Sequence, residues 1–219
     1  MVAVVHLRPE GFNIMARNRD SIVKMSRREG YALHPKAHKA LVKRTMVPGG
    51  IKGRNSNKKP SQYSIQLREK QKVKRLYGLL EKQFAKLMNE ASRTKGQSGA
   101  RLLQLLEQRI DNVVYRSGLA PSRRAARQLV SHGHFMLNGR RVDVPSIRLL
   151  AQDEVSLRPK SQSSELFKKI DDISPAPPEI PSWIKVNRSK FTITVIGAPS
   201  RKDAEPDINE QLIVEYYSR

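Results

Sequence analysis

Hydrophobic positions in the middle of the chain repeat with a helical period. From Ser61 onward, Val73, Leu76, Tyr77, Leu80, Phe84, Leu87, Met88 and Ala91 fall at i, i+3, i+4, i+7, i+11, i+14, i+15 and i+18, which predicts one sustained helix. "RTKGQSG", Arg93 to Gly99, breaks it and reads as a boundary. Leu102, Leu103, Leu106, Ile110, Val113 and Val114 predict a second helix, stopped by Gly118 and Pro121. Ser122 is a good N-cap for a third, running from Arg123 to about His132, with Ala125, Ala126, Leu129 and Val130 on its buried face and Gly133 at its end.

The period then shortens. "HFMLNGRRVDV", His134 to Val144, predicts a hairpin, because Asn138-Gly139 supplies the two residues a type I′ turn needs. "EVSLR", Glu154 to Arg158, adds a strand. Past the proline-rich linker "SPAPPEIP", Ser174 to Pro181, both "KFTITVI" (190–196) and "EQLIVEYY" (210–217) have the alternation or β-rich composition of strands. Trp183, the sole tryptophan, reads as a packing anchor.

Two stretches have no core pattern. Residues 1–14 show no sustained period and read as an extension outside the fold. Residues 16–60 are basic and rich in Pro, Gly and Asn; "VPGGIKGRNSNKKP", Val47 to Pro60, reads as an extended arm of the kind that orders on a nucleic acid.

Charge decides the class of partner. The chain has 219 residues, 42 Lys plus Arg against 20 Asp plus Glu, and a net charge of +22. Self-repulsion of that size is relieved by a polyanion, and nucleic acid is the expected one. No apolar run is long enough to span a bilayer, so no membrane partner is expected. There is no cysteine, hence no disulfide framework and no thiolate metal site. Residues 1–92 carry +15 and residues 93–160 carry +8, whereas residues 161–219 carry −1. The last segment is therefore expected to pack or to meet protein. Aromatic residues are 5% of the chain, which favours reading RNA by shape and phosphate over stacking of bases.

The candidate contacts follow from that charge. Arg68, Lys70, Lys72 and Arg75 lie off the apolar stripe of the first helix. Arg123, Arg124 and Arg127 gather at the start of the third helix, where Ser122 and the free backbone N–H groups suit phosphate. Between Pro121 and Ser146 there is one acid, Asp143, against five arginines, which argues for phosphate ligands in preference to internal ion pairs. Arg140 and Arg141 follow the Asn138 turn. His132 and His134 lack a nearby carboxylate or thiol, so RNA contact or a helix-end charge suits them better than a metal.

These residues carry a resemblance. "LEQRIDNVVYRSGLAPSRRAARQLVSHGHFMLNGRRVDVPS", Leu106 to Ser146, resembles the RNA-binding module of the bacterial and organellar family of small ribosomal subunit protein four. "SRREG" (26–30), "SQYSIQLREKQKVKRLYGLLEKQF" (61–84) and "INEQLIVEYYSR" (208–219) are similar to that family in the same order. The resemblance implies an α+β fold, in which a mostly helical domain carries an inserted module of two helices and a small sheet, with a C-terminal β-containing lobe. The expected divisions are 1–14, 15–98, 99–160 and 161–219, the last packing back on the helical part.

It also implies a structural, non-enzymatic protein that binds the five-prime domain of small-subunit rRNA, nucleates assembly and influences decoding accuracy. Small ribosomal subunit protein five and messenger RNA at the entry channel are the implied further partners, on a cytoplasmic or organellar ribosome. No cofactor or small-molecule substrate is expected. Arg27, Arg28, Lys58, Lys59, Arg109 and Arg116 join the candidate RNA contacts on this basis. Many family members bind zinc or an iron–sulfur cluster through cysteines near the N-terminus; this chain has Ser26 at such a position.

The same module occurs in pseudouridine synthases, a heat-shock protein and tyrosyl-tRNA synthetases. "RID", Arg109 to Asp111, even resembles the catalytic Arg-Leu-Asp of the synthases, but it lies in the module's first helix. An enzyme would be expected to carry a second, mostly uncharged catalytic domain, whereas 59 near-neutral residues (161–219) follow the module and a cationic arm and helix precede it. A free RNA-binding regulator acting on messenger leaders is the alternative of another class.

Overall fold

The structure is a computed structural model, and it describes residues 18, 20–43, 47–48, 59–94, 96–175 and 179–218. The extension at 1–14, Lys58 and most of the basic arm lie outside the described residues.

Two hydrophobic cores organise the chain. The first is helical. It is built from α1 (Ile22–Glu29), α3 (Gln62–Leu76), α4 (Glu81–Arg93), α5 (Ser98–Glu107) and α11 (Glu210–Tyr217), while α2 (His38–Lys43) packs on α1 and buries no residue of its own. Val73, Leu76, Phe84, Met88, Leu102, Leu106 and Ile213 fill it. The second core closes α6 (Ile110–Arg116) and α7 (Arg123–Ser131) over one face of a sheet, with three short helices, α8 (Pro159–Gln162), α9 (Glu165–Lys168) and α10 (Ile170–Ile173), at its margin. The strands are β1 (Phe135–Leu137), β2 (Arg140–Val142), β3 (Glu154–Leu157), β4 (Ile184–Asn187) and β5 (Thr192–Val195). They form one antiparallel sheet in the order β2-β1-β3-β5-β4. Phe135, Val155, Leu157, Ile193 and Val195 point into the core, and Phe167 and Trp183 complete it.

The expected single helix from Ser61 is two. Ser61 caps α3 by accepting from Ser64 N at 3.2 Å. The helix ends in a Schellman turn, with Leu79 N donating to Lys74 O at 2.9 Å and Gly78 N to Arg75 O at 3.2 Å. Gly78 sits at φ +65°, a conformation that costs glycine little. The stripe continues across the break because α4 returns Phe84, Leu87 and Met88 to the core that Val73 and Leu76 already occupy. Periodicity reports which residues face a core, and it is blind to a reversal between them.

A second break falls at Gln108–Arg109. Leu102, Leu103 and Leu106 on α5 enter the first core; Ile110, Val113 and Val114 on α6 enter the second. The change of core thus falls at about 107–110, not at the expected 98–99.

The tail is not a separate lobe. β4 and β5 extend the module's sheet, while Ala204, Ile208 and Ile213 join the helical core. "EQLIVEYY" is the helix α11, contrary to the strand expectation. Asn209 caps it, accepting from Gln211 N at 3.2 Å, and its packing on α3 and α5 overrides a β-rich composition.

Ser26 takes a structural role on α1. Its buried hydroxyl donates to Ile22 O at 2.8 Å and accepts from Leu33 N at 3.2 Å, tying the helix to the loop after it. A hydroxyl engaged on both sides is no metal donor, so the residues here do not fit the family's zinc or iron–sulfur centre.

Candidate nucleic-acid interface

The opening of the module is as the sequence predicts. Ser122 Oγ accepts from Ala125 N at 3.2 Å and starts α7, whose Ala126, Leu129 and Val130 are buried against α6. Asn138 and Gly139 both have positive φ, as a type I′ turn requires. Asn138 also braces the turn: its Nδ2 donates to Asp153 Oδ1 at 2.8 Å and its Oδ1 accepts from Glu154 N at 2.9 Å.

The arginines of this segment divide. Arg123 does not face solvent as a phosphate ligand. Its Nη2 donates to Glu205 Oε1 at 2.8 Å and its Nε to Asn112 Oδ1 at 3.0 Å. Its guanidinium lies 5.1 Å from the Tyr77 ring centre and 4.5 Å from that of Tyr115. Arg127 donates to Gly78 O at 3.2 Å and stands 3.7 Å from Asp111. The scarcity of acids between 121 and 146 misleads because the partners come from α6 and from the C-terminal segment.

Arg116 and Arg109 are also committed within the protein. Arg116 grips both oxygens of Glu107, at 3.0 and 3.1 Å, and lies 3.5 Å from Glu205. Glu107 is 0% exposed and accepts further bonds from Tyr77 Oη at 2.5 Å and Asn112 Nδ2 at 2.7 Å. Burial pushes the Tyr77 phenol well up, helped by Glu107. Burial alone would raise Glu205, yet Arg123 and Arg116 hold it below the ordinary range. Arg109, 5% exposed, forms a two-pronged pair with Asp111 at 3.0 and 2.7 Å. Of the residues expected to contact RNA, Arg109 thus lies in a buried ion pair, and Arg116 and Arg123 lie in a junction network within the protein.

The cations of α3 are drawn inward in the same way. Lys70 is 3% exposed, bonds Glu81 at 2.6 Å and lies 4.4 Å from the Tyr216 ring centre. Lys74 bonds the same carboxylate at 2.8 Å. Burial opposes ionisation of Glu81, but these two lysines outweigh it and hold its pKa at about 2. Lys72 bonds Glu69 at 2.8 Å and Asp207 O at 2.7 Å. Arg68, at 3.2 Å, and Arg75 both pair with the buried Glu29. Residues expected to line a cationic face instead bind the first core together.

What remains on the surface is a second set. Arg28 on α1 and Lys59 before α3 are exposed, while Arg27 is half-buried. Arg124 is exposed at the start of α7 and donates to Asp20 O at 3.3 Å. His132, Arg140 and Arg141 are exposed at the far end of α7 and on the hairpin, with His134 half-exposed beside them. Gly133 places Arg141: at φ +70°, it leaves the room that a Cβ would take from the guanidinium. Arg158, which is not among the candidates read from the sequence, joins this group because its N donates to His134 O at 2.8 Å. The only signal for it was its place at the end of "EVSLR".

Among the described residues no three His, Cys, Asp or Glu side chains gather as a metal site, and no helix is long and apolar enough to cross a membrane.

A helical domain followed by a two-helix and hairpin unit, with cations left on the hairpin end, defines a basic protein of the class built around an S4-type module. Family models match accordingly: the Ribosomal protein S4/S9 N-terminal domain over residues 17–107 and the S4 domain over 108–155. The join between the two falls where the chain changes core. Relatives named "Small ribosomal subunit protein uS4" match over 94% of this chain and 100% of their own length, with 46% identity in Chlorobium phaeovibrioides, 45% in Clostridioides difficile and 44% in Roseiflexus sp.. The chain belongs to the uS4 family of small ribosomal subunit proteins.

Proposed function

We propose that this chain is a structural constituent of the small ribosomal subunit that binds its rRNA. The observation that carries this is similarity over nearly the whole chain, at 44–46% identity, to uS4 proteins that are matched over their full length. The physical support is a net charge of +22 with exposed cations on the module's hairpin end and along α1 and α2. Structured RNA is read there by shape and phosphate. The family resemblance directs the binding to the five-prime domain of the rRNA, with roles in nucleating assembly and in decoding accuracy, on a cytoplasmic ribosome. The same resemblance supplies small ribosomal subunit protein five and messenger RNA as further contacts.

The chain is read as non-enzymatic. Asp111, the residue that resembles the catalytic aspartate of the synthases, is 4% exposed, doubly bonded by Arg109 and approached by Arg127. A carboxylate held this way is structural.

The test is co-sedimentation with small subunits at raised salt, followed by a crosslink map of the bound RNA. Retention with crosslinks in the five-prime domain is expected. Release from subunits, with crosslinks on messenger leaders, would overturn the reading in favour of a free regulator.

A further inference from the structure

The cations of the junction all have acidic partners; among the described residues, those at the outer end of the sheet do not. His134 precedes β1 and lies beside Arg158 at the end of β3, in the register set by Phe135 opposite Leu157. Their side chains share the face of the sheet that carries Ser156, Met136 and, opposite Met136, Arg141. The Arg141 guanidinium lies over Gly133, immediately before His134. The His132 ring centre is 6.1 Å from that of His134.

Around the imidazole, the residue after α7 contributes His132, β2 Arg141 and the residue after β3 Arg158, while α8 and α9 contribute the neutral Ser161 and the Phe167 ring. Ser161 Oγ is 3.0 Å from Nδ1, which leaves Nε2 for a ligand. Among the described residues no ion pair is formed by Arg141 or Arg158.

We infer that His134, Arg141 and Arg158, with His132 at the rim, form a proton-linked phosphate site for the RNA backbone. The inference rests on the rRNA-binding function proposed above and adds its pH regulation. Burial lowers the pKa of His134 from its ordinary 6.5, and His132, Arg141 and Arg158 lower it further. An anion reverses the second effect, because a phosphate among these cations favours the protonated ring. Binding and protonation therefore reinforce one another. Affinity rises as the pH falls through the histidine range, and each pKa unit by which the phosphate raises His134 is about tenfold in affinity.

The experiment uses the full chain and five-prime-domain rRNA, titrated at several salt concentrations at about pH 5.5 and about pH 7.5, either side of the histidine range. The wild type is expected to bind up to about tenfold tighter at the lower pH, with a log–log salt slope steeper by roughly 0.7 to 0.9, one extra phosphate contact. His134→Gln should remove both pH effects, so that its affinity and salt slope are the same at the two pH values. A pH titration of the His134 ring resonances in the wild type, with and without RNA, should show the midpoint moving up on binding; this reading does not depend on the variant's folding. Equal pH dependence in variant and wild type, or an unmoved midpoint, overturns the site alone. Failure of the wild type to bind at either pH overturns the ribosomal reading and the site with it.

Discussion

Arg123 and Arg141 belong to one basic segment and have opposite fates. Arg123 lies between two tyrosine rings and completes a network with Asn112, Glu205, Arg116 and Glu107. Arg141 lies exposed beside two histidines and another arginine. The difference is one of topology. The start of α7 meets the end of α3, the end of α5 and the C-terminal segment, all of which bring hydrogen-bonding or acidic groups. The hairpin end meets β3, just before which Asp153 is taken by Asn138, and the margin of α8 and α9, and among the described residues none of these forms an ion pair with Arg141. Positive charge in this protein is thus placed in two ways, tied into the junction between two cores and left exposed at the hairpin end. Local composition does not separate them.

The sharpest way to break this comparison is at the junction. Glu107→Ala would strip Arg116 of its two-pronged partner and leave Tyr77 and Asn112 unsatisfied. Removing one member of a buried pair costs about 3–5 kcal/mol. Denaturant unfolding should show a loss of that size; a loss below about 1 kcal/mol would mean that the junction is hydrated and the contrast with the hairpin end is false.

Ser26→Ala should have the next largest effect. It leaves the buried Leu33 N–H without its acceptor, at a cost of about 1–3 kcal/mol. A neutral result in the same unfolding assay would show that the hydroxyl does not hold the loop after α1.

A smaller effect appears in acid. Glu81 has its folded pKa depressed from 4.5 to about 2. Its contribution is therefore fully present above pH 4.5, and it is lost as the pH falls through about 2. Glu81→Gln should remove that part of the acid-dependent decline in stability. An unchanged acid profile would show that Lys70 and Lys74 do not act through this carboxylate.

Much of the module was legible in the sequence, and for local reasons. Ser122 as cap, Ala126, Leu129 and Val130 as a buried face, and Asn138-Gly139 as a turn are each decided within a few residues. The expectations that failed depend on distant partners. The stripe from Val73 to Ala91 gives no sign that Gly78 folds it back. Leu106 and Ile110 look like one face until two cores separate them. Glu205, remote in sequence, decides that Arg123 is structural. "EQLIVEYY" is helical because α3 and α5 offer a groove for Ile213, which its β-branched content does not reveal.

If the module grips RNA through its exposed hairpin end, the double variant Arg140→Gln, Arg141→Gln tests that grip most directly. Both side chains are exposed and outside either core, so stability should change by no more than about 0.5 kcal/mol. Titrated against five-prime-domain rRNA over a range of salt, the folded variant should bind more weakly. Its log–log salt dependence should flatten by roughly 1.4 to 1.8, two lost phosphate contacts. A folded variant with unchanged affinity and unchanged slope would contradict a role for the hairpin end in holding RNA.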